Sequence, residues 1–169
     1  MDPRKGHDKI IAALSNERLK DIDFMYIVAG KGDDRDRLSG LAQDLEIRDR
    51  IIFVGPIDEQ DKAGYYDASD VFIMLNRQDN NNVEGFGISF IEAGARKKPV
   101  IGCYQGGAID AVNENTGFLL KGNNLEEEAV DCILSLINDP SMRNEMGEAS
   151  LNRILKEFSW RKISKDIYQ

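Results

Sequence analysis

Five short runs of consecutive apolar residues, at 24–29, 51–54, 71–75, 100–104 and 117–120, constrain the fold of this chain more than any other feature. A strand with one wet face alternates apolar and polar residues. These runs are apolar at nearly every position, the pattern of strands covered on both faces in a parallel sheet. Between them lie amphipathic stretches. Leu38, Leu41, Ala42 and Leu45 recur at helical spacing, as do Leu125, Ala129, Ile133 and Ile137. Helix and strand patterns alternate from the start, and a helical tail runs over 125–169. Repeated βα units with right-handed crossovers predict an α/β doubly wound parallel sheet.

Turn chemistry marks the breaks. Gly30-Lys31-Gly32-Asp33 ends the first run and Gly55-Pro56 the second, while Asn138-Asp139-Pro140-Ser141 separates two long helices, with Ser141 the expected cap. The polar, Asn-rich segment 76–82 is a loop that either faces a substrate or is a mobile connection. With no internal repeat and no long linker, residues 1–169 read as one domain.

Composition narrows the function classes. With 22 basic and 30 acidic residues the net charge is -8, which argues against nucleic acid or a membrane surface as partner. No apolar run approaches the ~18 residues of a membrane span, and the N-terminus lacks a signal-peptide core. Cys103 and Cys132 are too few for a disulfide framework and read as buried thiols of a reducing, cytoplasmic setting.

Ligands of open parallel sheets bind beyond the carboxyl ends of the strands. There the chain carries Glu84-Gly85-Phe86-Gly87-Ile88, then Glu92, then Pro99. Gly85 and Gly87 bare the backbone at a helix start, where N–H groups and the dipole form a seat for phosphate. Glu84 before the helix and Glu92 inside it are poorly placed to share a metal, but well placed to grip hydroxyls at two ends of an elongated ligand. A capped helix with an exposed Glu92 fits the same spacing.

The stretch from Glu84 to Ile101 resembles the E-x7-E signature of retaining glycosyltransferases of the GT4 (group 1) type, in the C-terminal half of a GT-B fold. Lys5-Gly6, Val28-Ala29-Gly30-Lys31-Gly32, Ile52-Phe53-Val54-Gly55, Tyr66-Asp67-Ala68-Ser69-Asp70-Val71, Gly106-Gly107 and Asn115-Thr116-Gly117-Phe118-Leu119 agree with that family in order and spacing. The resemblance implies a nucleotide-diphosphate sugar as donor. Lys5 would neutralise charge on the departing diphosphate, and Glu84 would bind hydroxyls of the transferred sugar. Gly87 and Ile88 would offer N–H groups, with Phe86 supporting their turn. Glu92 would take the ribose, and Gly30, Gly32 and Ile57 would face the base. It further implies transfer of a hexose-like unit to an acceptor hydroxyl with retention, by front-face attack, without cofactor or metal. His7, the only histidine, reads as structural or solvated.

Departures from the family pattern are equally specific. Lys97 stands where glycine is usual, Asp110 where glutamate is usual, and Asn76-Arg77 where Pro-Ser or Pro-Thr is usual. The family's opening strand, with its Gly-Arg end, has no counterpart before Lys5. That strand is central in a doubly wound sheet, so a break of two ~4.8 Å spacings is expected there. The resemblance also implies a separate N-terminal acceptor domain, without which this chain would be incompetent for transfer. The alternative is a non-catalytic binding or assembly module that completes its sheet by self-association. A nicotinamide dehydrogenase fits poorly, because Asp33 and Asp34 follow Gly32 and would repel a pyrophosphate.

Overall fold

The computed structural model describes residues 2–76 and 87–158. Helices and strands alternate as expected: α1 (His7–Leu14), β1 (Tyr26–Ala29), α2 (Arg35–Asp44), β2 (Ile51–Gly55), α3 (Glu59–Ala68), β3 (Phe72–Met74), α4 (Ile88–Ala95), β4 (Val100–Cys103), α5 (Ala108–Ala111), β5 (Gly117–Leu120), α6 (Leu125–Asn138) and α7 (Pro140–Arg153). A π-helical turn, Ile154–Phe158, ends the described chain. Every strand pair is parallel, but the strands form two sheets, β1–β2 and β3–β4–β5. Among the described residues β1 and β3 share no ladder. The break falls where the sequence places it.

Local signals explain the helices. Asn124 caps α6 by accepting from the Glu127 N–H at 3.3 Å, and Glu126, Glu127 and Glu128 complement the dipole in its first turn. α7 opens on Pro140, whose missing N–H costs nothing there. Its cap is Asp139, which accepts from the Met142 N–H at 2.9 Å. Ser141 is therefore not the cap, because the proline fixes the helix start one residue earlier.

The sheets differ in cover. In β4 all four residues are buried, and they alternate between two clusters. Ile101 and Cys103 join α6 residues Ala129, Val130 and Leu136, while Val100 packs with Phe90, Ala93 and Ala108 of α4 and α5. Here the expectation of strands covered on both faces holds. It fails for β1–β2. Val28, Ile51 and Phe53 pack on α1 and α2, whereas the paired Ile27 and Ile52 on the opposite face are 38% and 44% exposed. No described helix covers that face, so an apolar run there reports hydrophobicity rather than enclosure.

α4 is braced from behind by α7. A Cβ on Gly94 would stand 2.7 Å from Ile154 Cδ1 and 3.2 Å from Ser150 Cβ, so the two helices meet where α4 has no side chain. Ser150, itself buried, donates from Oγ to the Thr116 carbonyl at 3.2 Å.

Candidate functional site at the strand ends

Two loops close over the end of β3. The 3-10 turn Pro3–Lys5 ends at Gly6, which holds a left-handed φ of 70° and then opens α1. A Cβ at Gly6 would lie 1.8 Å from the Leu75 carbonyl oxygen, so only glycine lets the Lys5–Gly6 turn rest on the chain leaving β3. On the other side the Gln105 side chain donates from Nε2 to the Asn76 carbonyl. Gln105 leads through Gly106 and Gly107 into α5. Lys5 is thus carried to the strand end by backbone packing.

Gly87 joins the same region. It opens α4 with φ 69° and no side-chain cap, and a Cβ there would stand 3.0 Å from Phe90 and 3.5 Å from Gly107. Among the described residues neither α1 nor α4 has a side-chain bond from its cap position, which is glycine in both. Two helix N-termini of this kind, beside the Gly106-Gly107 turn, can take an anion. Ile88 contributes its backbone, while its side chain is 65% exposed. Glu84 and Phe86 lie outside the described residues.

Glu92 sits one turn into α4, and the spacing could not reveal its partners. Its carboxylate accepts from Lys62 Nζ at 2.8 Å and from the Tyr66 hydroxyl at 2.9 Å, both on α3. Its side chain is 26% exposed, so it is neither sealed in the core nor the freely exposed residue of the simple capped-helix reading. Burial, then the neighbouring carboxylate, raises the Tyr66 pKa well above its ordinary value. The hydrogen bond to Glu92 raises that of Lys62. Tyr66 meets Phe72 edge-on at 5.8 Å, and Phe72 meets Phe90 at 5.5 Å, an aromatic row that ties α3, β3 and α4 together. Lys62 and Tyr66 were not singled out as site residues. Their i,i+4 spacing on α3 was the available signal.

The remaining glycines lie at a second place, beyond β1 and β2. Gly30 and Gly32 hold φ values of 133° and 137°, and the Gly30 N–H donates to the Gly55 carbonyl at 2.7 Å. A Cβ at Gly30 would meet nothing within 4 Å, so this turn faces open space. Ile57 is half-buried just before α3. His7 turns inward, with Nδ1 2.8 Å from the Tyr26 hydroxyl, and burial pushes its pKa down to about 4. It is structural. Lys97 holds a φ of 58°, the conformation glycine favours. Asp110 is exposed, and its carbonyl accepts from Arg153 at 2.6 Å. The Cys103 and Cys132 thiols are raised by burial to about 11, which leaves them poor nucleophiles. Among the described residues no helix is long and apolar enough to cross a membrane.

The family model "Glycosyl transferases group 1" matches residues 1–153. The chain is 32% identical over 160 residues to a GDP-mannose-dependent monoacylated alpha-(1-6)-phosphatidylinositol monomannoside mannosyltransferase of Corynebacterium glutamicum, covering 94% of this chain and 41% of that protein. It is 31% identical over 161 residues to the GDP-mannose-dependent alpha-(1-6)-phosphatidylinositol monomannoside mannosyltransferase of Mycobacterium tuberculosis, covering 94% and 42%. Among solved structures, a sucrose-phosphate synthase of Thermosynechococcus elongatus superposes with a TM-score of 0.85 at 28% identity, over 99% of this chain and 42% of that one. The chain spans about two fifths of the length of these relatives.

Proposed function

The chain belongs to the glycosyl transferases group 1 family, and from that premise we propose that it forms the donor half of a retaining glycosyltransferase and binds a nucleotide-diphosphate sugar. The observation that carries this reading is the left-handed Gly87 start of α4, without a side-chain cap among the described residues and packed against Gly107, with Glu92 one turn further along. The opening N–H groups of α4 seat the diphosphate, and Lys5 adds a positive charge from the turn before α1. Glu92, oriented by Lys62 and Tyr66, keeps lone pairs for the ribose hydroxyls. Gly30, Gly32 and Ile57 border the base, and Glu84 holds the transferred sugar. Orientation and charge stabilisation then lower the barrier while the leaving phosphate guides the acceptor to the same face. No protein base and no metal takes part in this scheme.

A separate acceptor domain supplies the other wall of the cleft, so the 169-residue chain alone binds donor weakly and does not transfer it. Two relatives carry GDP-mannose in their names, which makes it the first donor to test. Titration with GDP-mannose and UDP-sugars at millimolar concentration, following backbone amide signals, should move Gly87, Ile88 and Glu92. Silence at those amides with every donor would overturn the reading. Robust turnover by the chain alone would overturn its second part.

The broken sheet favours one other reading. Among the described residues β1 and β3 each have one edge without a strand partner, open to an added strand, as in an assembly module. A mass by light scattering that rises with concentration, together with amides unmoved by donor, would favour it.

A further inference from the structure

Asn76 is 2% exposed, yet among the described residues its side-chain oxygen Oδ1 has no hydrogen-bond partner. An amide oxygen out of water and unpaired is an unfavourable feature, so its position matters. Asn76 lies two residues past the end of β3. The Leu75 carbonyl before it touches Gly6, and its own carbonyl takes the Gln105 side chain. It stands between the loops that open α1 and α5, and its backbone is held from both directions. Neither contact satisfies Oδ1.

The chemistry of that atom restricts what can complete it. An amide oxygen only accepts, so an ionised phosphate oxygen is excluded and an O–H or N–H is required. The helix starts at Gly6 and Gly87 offer donors, which suits the phosphates, and Glu92 offers the acceptor for the ribose. The base, whose N–H groups could also pair, is assigned to the turn at Gly30 and Gly32 and to Ile57, beyond the other sheet, so of a donor molecule's parts the hydroxyl-rich hexose-like unit beyond the diphosphate remains. We propose that Asn76 is a specificity-determining residue that accepts a hydrogen bond from a ring hydroxyl of the donor's sugar. The proposal rests on the donor-site reading above and adds to it the residue that distinguishes one sugar from another. A site built to pair a hydroxyl rejects the analogue that lacks it more strongly than an apolar contact could.

Asn76→Leu keeps the branched outline of the side chain and removes the acceptor. Binding of GDP-mannose should weaken about tenfold, while GDP, which has no hexose, binds as to the unsubstituted chain. The free protein should gain about 2–4 °C in melting temperature, because an unpaired buried acceptor has been removed. A structural asparagine would give the reverse, a lower melting temperature with no selective loss of the sugar nucleotide. Equal weakening of GDP and GDP-mannose, or no weakening of either, overturns the proposal. The ligand side needs no variant. Among GDP-mannose analogues each lacking one ring hydroxyl, one should lose about tenfold with the unsubstituted chain. If none does, the proposal also fails. Binding of neither GDP nor GDP-mannose by the unsubstituted chain counts instead against the donor site itself.

Discussion

The two sheets of this domain are built from sequence of the same texture and end in different surroundings. β4 sends Ile101 toward α6 and Val100 toward α4, and both are buried. β1 sends Val28 toward α1 and α2, while Ile27 on its other face stays partly in contact with solvent. The difference shows that burial is a property of what packs on a strand, and that residue hydrophobicity alone does not supply it. It also divides the candidate site. The Gly87 start of α4 belongs to the sheet whose central strand is enclosed, and the Gly30 turn belongs to the half-covered one.

The contrast is broken or sharpened most directly by truncating one residue in each sheet. Ile101→Ala should cost about 3–4 kcal/mol in denaturant unfolding and Ile27→Ala less than about 1 kcal/mol. Equal losses would mean that the exposed face of β1 is covered in solution. Next in size is the pH response of the first sheet, where His7 is held neutral against Tyr26. Its folded pKa, about 4, lies below the ordinary 6.5, so the unfolded chain binds the extra proton first. Stability from this group is full above pH 6.5 and lost as pH falls toward 4, by at most about 3 kcal/mol. Unfolding curves at pH 7 and pH 5 should show that slope, and His7→Gln should flatten it. The smallest effect lies behind the second sheet. Lys97→Gly relieves the left-handed φ but gives up the exposed 2.7 Å ion pair with Glu148, for a net gain of about 1 kcal/mol in thermal unfolding. A loss would show that the ion pair outweighs the backbone.

The sequence made the strands, their parallel sense and the place of the break legible, because runs and turn residues are local. Gly87 was legible for the same reason, since a glycine before an apolar helix announces a bare N-terminus. The partners of Glu92 were hidden because Lys62 and Tyr66 reach it from another helix, thirty and twenty-six residues away in the chain. Asn76 was hidden more thoroughly. It begins an asparagine-rich polar segment that reads as a surface loop, and only the packing of Gly6 on the preceding Leu75 and the Gln105 bond to its own carbonyl show that its first residue is interior. The cap of α7 was misplaced by two residues, because Ser141 has the right chemistry while Pro140 fixes the geometry around Asp139.

The close fit of Gly94 against Ser150 and Ile154 has a thermodynamic consequence. A helix that must be ordered when a ligand arrives takes the loss of its freedom out of the binding free energy. Here α7 has already immobilised α4, and Ser150 anchors that contact to the chain entering β5. On the donor-site proposal, the entropy of ordering α4 is therefore spent when the protein folds. A bulky residue at position 94 would separate the helices and, on that proposal, return the entropic loss to the ligand, weakening affinity through a contact on the α7 side of α4.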